Sequence, residues 1–131
     1  MENSFLKVKN YLLELEFTIV KENESESELI IEKEDEGISN MFINCSDPIL
    51  IMEQFIFEIK KDETEIYKNL LQKNQDIIHG AFVLDNSGTK VLFRDTLQLE
   101  NLDLNELEGS INSLIFLLSE YSAKILEFAK R

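Results

Sequence analysis

Hydrophobic residues recur at helical spacing in three stretches of the chain. The last stretch gives the strongest signal, because seven hydrophobic residues from Leu107 to Phe128 follow one another at intervals of 4, 3, 4, 3, 4 and 3. Asp62 and Asp103 are each followed three residues later by Glu, which is typical of a helix N-terminus. The predicted helices cover residues 4–15, residues 63–75, and roughly 25 residues from position 103 onwards.

Between these helices the pattern changes to the two-residue period of β-strands. Residues 49–59 are apolar at both odd and even positions, so both faces of this strand need cover. Pro48, which cannot donate to a strand ladder, separates this strand from the one before it. The turn formers at 85–88 join two short apolar runs and predict a hairpin. The predicted strands are residues 17–21, 29–31, 38–45, 49–59, 82–84 and 91–93, the last extending to 97 or 99.

This order of elements predicts an α+β fold. Since no helix separates most neighbouring strands, we expect an antiparallel β-sheet of five to six strands with three helices, in the order α-β-β-β(-β)-α-β-β-α. A length of 131 residues fits one domain, residues 1–131, and a hydrophobic content of 44% can form its core.

Charge narrows the classes of function. The chain carries 13 Lys and Arg against 26 Asp and Glu, a formal net charge of −13, which repels nucleic acid and anionic membrane surfaces. No apolar run is long enough to span a bilayer, and the chain does not open with a basic or apolar leader. We therefore expect a cytoplasmic protein that binds neither nucleic acid nor membrane.

Residues 22–36 are dominated by acidic side chains, with Glu22, Glu24, Glu26 and Glu28 at every second position. One interpretation is a negative patch that binds a cation or a basic partner. The other is a solvated hairpin whose charges discourage pairing at its edge. The second is favoured, because alternating carboxylates in a turn are not fixed to converge on a metal.

Residue types that carry out catalysis are sparse. His79 has no second His and no neighbouring Cys at a zinc-ligand spacing, so it is interpreted as a loop residue. Cys45, the single cysteine, lies in an apolar strand and is interpreted as a buried hydrophobic residue; as a nucleophile it would need His79 beside it. The four glycines are scattered and form no phosphate-binding loop. We therefore expect no enzyme activity, no metal and no cofactor.

The chain also carries more apolar strand surface than its helices are expected to cover. If the first and third helices lie on one face of the sheet, the other face has at most the short second helix. A symmetric dimer that buries this face is the simplest completion. One functional interpretation is that part of this face, or the edge of the acidic hairpin, receives an extended segment of another protein as an added strand. Alternatively, the core and the homodimer use all of this surface.

Several short segments follow one another as they do in a known family. They are residue 48, residues 53–56, 70–74 and 80–85, Gly88, and then residues 91–94, 102–103 and 107. Together with the element order, they make nearly the full chain similar to YbjN-type domains. Those domains share the fold of the CesT/Tir-type class I chaperones of type III secretion, which are small, acidic, cytoplasmic and usually dimeric.

The resemblance implies a protein-binding, chaperone-like module. In the secretion chaperones a dimer holds an extended stretch of unfolded cargo, so the expected partners are a second copy of the chain and another protein such as a secreted effector. The runner-up is a small-ligand-binding or sensory regulatory domain whose pocket lies between the sheet and the long helix. By position, the resemblance assigns the dimer interface to Ile66, Tyr67, Leu70, Val91 and Phe93, and the partner-binding surface to Leu12, Phe17, Ile19, Leu29 and Ile31.

Overall fold

The structure is a computed structural model that describes residues 3–131. It confirms the predicted α+β class and element order, with four strands before the second helix. Two single-turn 3-10 helices, Glu24–Glu26 and Glu34–Glu36, connect the first three strands. The helices and strands are α1 Ser4–Glu14, β1 Thr18–Asn23, β2 Glu28–Lys33, β3 Ile38–Ser46, β4 Ile49–Glu58, α2 Thr64–Asn74, β5 Ala81–Leu84, β6 Lys90–Gln98 and α3 Leu104–Lys130.

The six strands form one antiparallel sheet in the order β1-β2-β3-β4-β6-β5. The first four strands are consecutive neighbours, as expected for short turns. The chain then passes through α2 and returns as the β5–β6 hairpin, whose second strand pairs with β4. The two edges of the sheet are therefore β1 and β5.

One face of the sheet is covered by helices. Ser110 of α3 donates a hydrogen bond to Asp95 of β6, which identifies the side that faces α3. Met52 pairs with Asp95 across the ladder and Ile43 pairs with Met52, so these side chains share that face. Both apolar residues are 0% exposed. The hydrophobic core lies between this face and the helices.

The opposite face, called the open face below, is less completely buried. Phe42, Glu53 and Arg94 share one cross-strand row on it, and all three are only half-buried. Arg94 forms an ion pair with Glu53 at 3.4 Å. Phe55, on the same face, is 53% exposed. Within one subunit, helices therefore cover only one of the two faces of β4.

The predicted start of α2 is wrong in its detail. Asp103 caps α3 as expected, accepting a hydrogen bond at 2.7 Å from the backbone N–H three residues later. At α2, however, the residue before the helix is Glu63, with no side-chain cap, and Asp62 lies outside. Arg131 binds the carboxylates of Glu63 and Glu65 at 3.1 and 3.0 Å, so Glu65 is engaged in an ion pair at this helix start.

Gln54 is a buried polar residue on the helix-covered face. Its side-chain oxygen accepts a hydrogen bond from the backbone N–H of Ser39 at 3.1 Å. Its side-chain nitrogen donates one to the carbonyl oxygen of Gly37, also at 3.1 Å. Gln54 therefore ties the turn between β2 and β3 to the centre of β4.

Candidate protein-binding surfaces

The side chains singled out for chemistry lie in unreactive settings. His79 is exposed in the loop before β5. Cys45 is 6% exposed in the core, where burial raises the pKa of its thiol to about 12. Within residues 3–131 no group of His, Cys, Asp and Glu is placed to hold a metal ion. Across the same residues, none of the helices has the length and hydropathy needed to cross a membrane.

We expect Cys45 to resist alkylation while the protein is folded. The thiolate is the reactive form, and a pKa of about 12 leaves little of it near pH 8. Iodoacetamide labelling, followed by mass spectrometry across a guanidinium titration, should therefore track unfolding. Fast labelling of the native protein would contradict the prediction.

One edge of the sheet is closed by a side chain. Asn74, the last residue of α2, accepts a hydrogen bond from the backbone N–H of Phe82 at 2.7 Å. It also donates one to the carbonyl oxygen of Phe82 at 3.2 Å. Phe82 belongs to β5, whose only ladder partner is β6. The carboxamide thus takes the place of a neighbouring strand at this edge.

The β1 edge has no comparable cover in the part of the chain that the structure describes. Its ladder partner is β2, and no described side chain or loop bonds to the backbone of residues 18–23. Ile19 is half-buried, whereas Val20 is 48% exposed and is skipped by the β1–β2 register, as in a bulge. The outer backbone groups of β1 are therefore not used by the described part of the chain.

Replacing Asn74 with Ala should lower the free energy of unfolding by about 1–3 kcal/mol, because two partly buried backbone groups of Phe82 lose their partner. Amide exchange at Phe82 should also accelerate. The matched control is Asn69→Ala in the same helix, whose side chain bonds only to the exposed carbonyl of Glu65. We expect the control to stay within about 0.5 kcal/mol of the wild type in urea denaturation. Equal losses in both variants would refute the role of Asn74.

The residues assigned by resemblance to a dimer interface mostly face the subunit's own core. Ile66 and Val91 are each 1% exposed, Leu70 is 5% exposed and Phe93 is 0% exposed. Tyr67 is half-buried. Tyr67, Leu70 and Val91 nevertheless line the groove between α2 and β5, so a second copy that fills this groove would reach them together with their more exposed neighbours.

Those neighbours form an apolar surface, called the α2–β5 patch below. Leu71 and Leu84 are 70% and 44% exposed and border a groove of about 210 Å³. Val83 lines the same groove. On the open face Val83 pairs with Leu92, and Leu92 pairs with Phe55, which is 53% exposed. The patch consists of Leu71, Leu84 and Phe55 with the groove between α2 and β5.

The residues assigned to partner binding are also largely internal. Leu12, Leu29 and Ile31 are at most 1% exposed, and Phe17 is 6% exposed. These four belong to the hydrophobic core. Of the five, only Ile19 is half-buried. The part of this region that is exposed is the backbone edge of β1 with Val20, which is 48% exposed.

The space between the sheet and α3 is filled. Leu107, Leu114 and Phe128 of α3 are each 0% exposed. A groove of about 300 Å³ lies instead beside the loop that precedes β5. Ile78 and Phe116 form part of its wall and are 86% and 64% exposed. Among the described residues, the pocket that a sensory domain would need is not found in the predicted layer.

The net negative charge is distributed unevenly along the chain. Residues 1–63 hold 16 acidic and six basic residues, and residues 95–131 hold seven acidic and three basic residues. Residues 64–94 hold only three acidic and four basic residues. The segment from α2 to the middle of β6 is therefore close to neutral, and the strands on the β1 side are strongly acidic.

Solved structures with the same fold are found. YbjN from E. coli superposes with a TM-score of 0.68 at 13% identity, covering 90% of each chain. The type III secretion chaperone SycH of Yersinia pestis, in complex with a stable fragment of YscM2, gives 0.62 at 15% identity, covering 96% of this chain and 99% of that one. The HopA1–SchA chaperone–effector complex gives 0.61 at 12% identity, covering 97% and 94%.

A comparison with curated protein sequences finds no match. A family model does: the CesT_Tir_1 model matches residues 1–131. The resemblance to YbjN and to the type III secretion chaperones is thereby confirmed, in the sequence pattern and in the fold. This chain belongs to the CesT_Tir_1 family.

Proposed function

We propose that this chain is a non-enzymatic, chaperone-like protein of the cytoplasm that holds an extended segment of a partner protein, such as a secreted effector. Its family and fold support a chaperone-like role. Two of the similar structures are a secretion chaperone in complex with a protein fragment and a chaperone–effector complex. The proposal extends this kind of partner to the present chain.

The observation that carries the proposal is the difference between the two sheet edges. At β5, Asn74 already occupies the outward backbone groups of Phe82 in a strand of only four residues. At β1 the outer backbone groups have no partner in residues 3–131. An extended segment gains main-chain hydrogen bonds when it adds to such an edge, and alternate side chains then provide specificity. The held segment is therefore assigned to β1.

Hydrogen exchange on a purified complex tests this assignment. The partner is captured from native lysate, its bound segment is identified by limited proteolysis, and exchange is compared with and without that segment. We expect slower exchange at residues 18–23 and no change at residues 81–84. If the bound segment slows exchange elsewhere but not at residues 18–23, the assignment of the held segment to β1 is contradicted.

The proposal includes a homodimer formed through the α2–β5 patch. Two copies of a chain with a charge of −13 repel each other, and residues 64–94 are the segment without an acidic excess. The same segment supplies Leu71, which is 70% exposed, and Leu84, which is 44% exposed. Apolar contact with little like-charge repulsion favours this surface for a second copy.

Sedimentation of Leu71→Asp tests the homodimer. The wild type should sediment as a dimer at tens of micromolar and the variant as a monomer, since the new carboxylate would be buried against the other copy. Leu6→Asp is the matched control, because Leu6 is 50% exposed on α1 and lies outside the patch. A monomeric wild type, or a dimer that survives Leu71→Asp, would contradict this part of the proposal.

A further inference from the structure

We propose that the segment held at β1 is cationic and amphipathic. On the open face of the sheet it presents a Lys or Arg, then an aliphatic residue, then another Lys or Arg at alternate positions. This inference rests on the proposed function, because it specifies the chemistry of the segment that β1 receives.

The first argument is uncompensated charge beside the free edge. Glu24 and Glu26 lie in the turn after β1, and Glu28 and Glu32 lie in the neighbouring strand β2. Within residues 3–131 none of these four glutamates forms an ion pair. Their mutual repulsion acts over a screening length of about 8 Å at physiological ionic strength. A cationic segment would relieve it, and an acidic one would increase it.

Two lysines near this group are already engaged. Lys9 of α1 binds Glu22 at 2.9 Å, on the helix-covered side. Lys33 donates a hydrogen bond to the carbonyl oxygen of Leu15 at 3.0 Å and lies 3.6 Å from Glu36. Lys21 lines a groove with Glu28 on the open face and forms no ion pair within residues 3–131, so one lysine stands there against the four carboxylates. Further positive charge would have to come from a bound segment.

The second argument is the order of side chains on the open face. There, β2 presents Glu28, Ile30 and Glu32 at alternate positions. Across the ladder, Glu32 pairs with Thr18 and Glu28 pairs with Asn23. Thr18 and Asn23 are short side chains, so each leaves a path over β1 to the carboxylate behind it.

A Lys or Arg side chain on an added strand is long enough to reach the carboxylates of β2. A strand added outside β1 would lie about 10 Å from β2, two strand spacings away. The long aliphatic stem of a Lys or Arg can cross a short neighbour while keeping its charged end on the carboxylate. Between the two carboxylates, Ile30 pairs with Lys21, and that lysine disfavours a cation opposite it. An aliphatic residue suits the middle position.

Three synthetic peptides with Thr at the intervening positions test the inference. They carry Lys-Val-Lys, Ser-Val-Ser or Glu-Val-Glu at the alternate positions. We expect the lysine peptide to bind about tenfold more tightly than the serine peptide at low salt, from two exposed ion pairs. The glutamate peptide should bind most weakly. The lysine preference should shrink as salt is raised.

A double variant assigns this preference to named residues. In Glu28→Gln/Glu32→Gln the lysine preference should fall to about twofold or less. The matched control, Glu58→Gln/Glu100→Gln, makes the same change in net charge at exposed positions outside β1 and β2. It should keep nearly the full preference. Hydrogen exchange at residues 18–23 reports whether each peptide binds at β1.

The outcomes separate this inference from the proposed function. Equal affinity of the three peptides, with residues 18–23 protected by all of them, would overturn the cationic inference and leave strand addition intact. An equal loss of preference in both double variants would also overturn it, because the attraction would then come from net charge alone. If no peptide protects residues 18–23, both the inference and strand addition at β1 fail.

Discussion

Replacing Gly80 with Ala is expected to destabilise the protein by about 2–5 kcal/mol, from left-handed backbone strain and overpacking together. Gly80 has a φ of +88°, and a Cβ built on it would clash with Cζ of Phe93 and lie 3.0 Å from the carbonyl oxygen of Arg94. The Phe93 ring is 0% exposed in the core, so it has no free space into which to move.

Gly88→Ala is the matched control for this prediction. Gly88 has a similar φ of +76°, but nothing lies within 4 Å of a Cβ built there. Gly88→Ala should therefore lower the free energy of unfolding by about 1–2 kcal/mol, from backbone strain alone. Guanidinium denaturation of both variants, followed by circular dichroism, measures the difference. Coincident midpoints would show that the Phe93 contact has no energetic consequence.

The second large effect is expected for Gln54→Glu, a change that keeps the shape of the side chain. The wild-type nitrogen donates to the carbonyl oxygen of Gly37, and Gln54 is 5% exposed. An ionised Glu would place a buried carboxylate against that carbonyl, with one lost donor. We expect the free energy of unfolding to fall by about 3 kcal/mol or more at neutral pH.

The same variant should depend on pH in a defined direction. Burial favours the neutral acid, so the folded-state pKa of the new Glu should lie above its unfolded value of about 4.3. The full decrease in the free energy of unfolding should therefore be seen above the folded-state pKa. The decrease should become smaller as the pH falls towards 4.3, because the protonated acid can again donate a hydrogen bond. Gln98→Glu, at an exposed position of β6, should show no such recovery. Stability curves that run parallel for both variants would contradict the buried-carboxylate explanation.

Periodicity predicted the elements well, because side-chain spacing alone determines which residues can share a face. The run from Leu107 to Phe128 predicted α3, and the residues at 85–88 predicted the β5–β6 hairpin. The mixed parity of β4 correctly indicated that both of its faces are apolar. Helix starts were less reliable: α2 begins without a side-chain cap, and Arg131, a residue distant in sequence, binds the carboxylates of Glu63 and Glu65 there.

The surface residues were the least predictable part. Leu70 and Leu71 are adjacent in α2, so only one could face the core, and a single helix does not reveal which. The structure buries Leu70 and leaves Leu71 70% exposed. Sequence patterns also did not predict the hydrogen bonds between Asn74 and β5, because Asn74 lies eight residues before Phe82, the strand residue that it bonds.

The asymmetry between the two sheet margins limits how the protein can polymerise. A fibre built head to tail would need the β1 margin of one molecule to join the β5 margin of the next, and to repeat that junction without end. Asn74 hinders every such junction, because it already occupies the outward backbone groups of Phe82. The pairing of β1 with β1 closes on itself after two molecules and sets their glutamates face to face. One carboxamide thus disfavours repeated pairing between sheets although the β1 edge stays open.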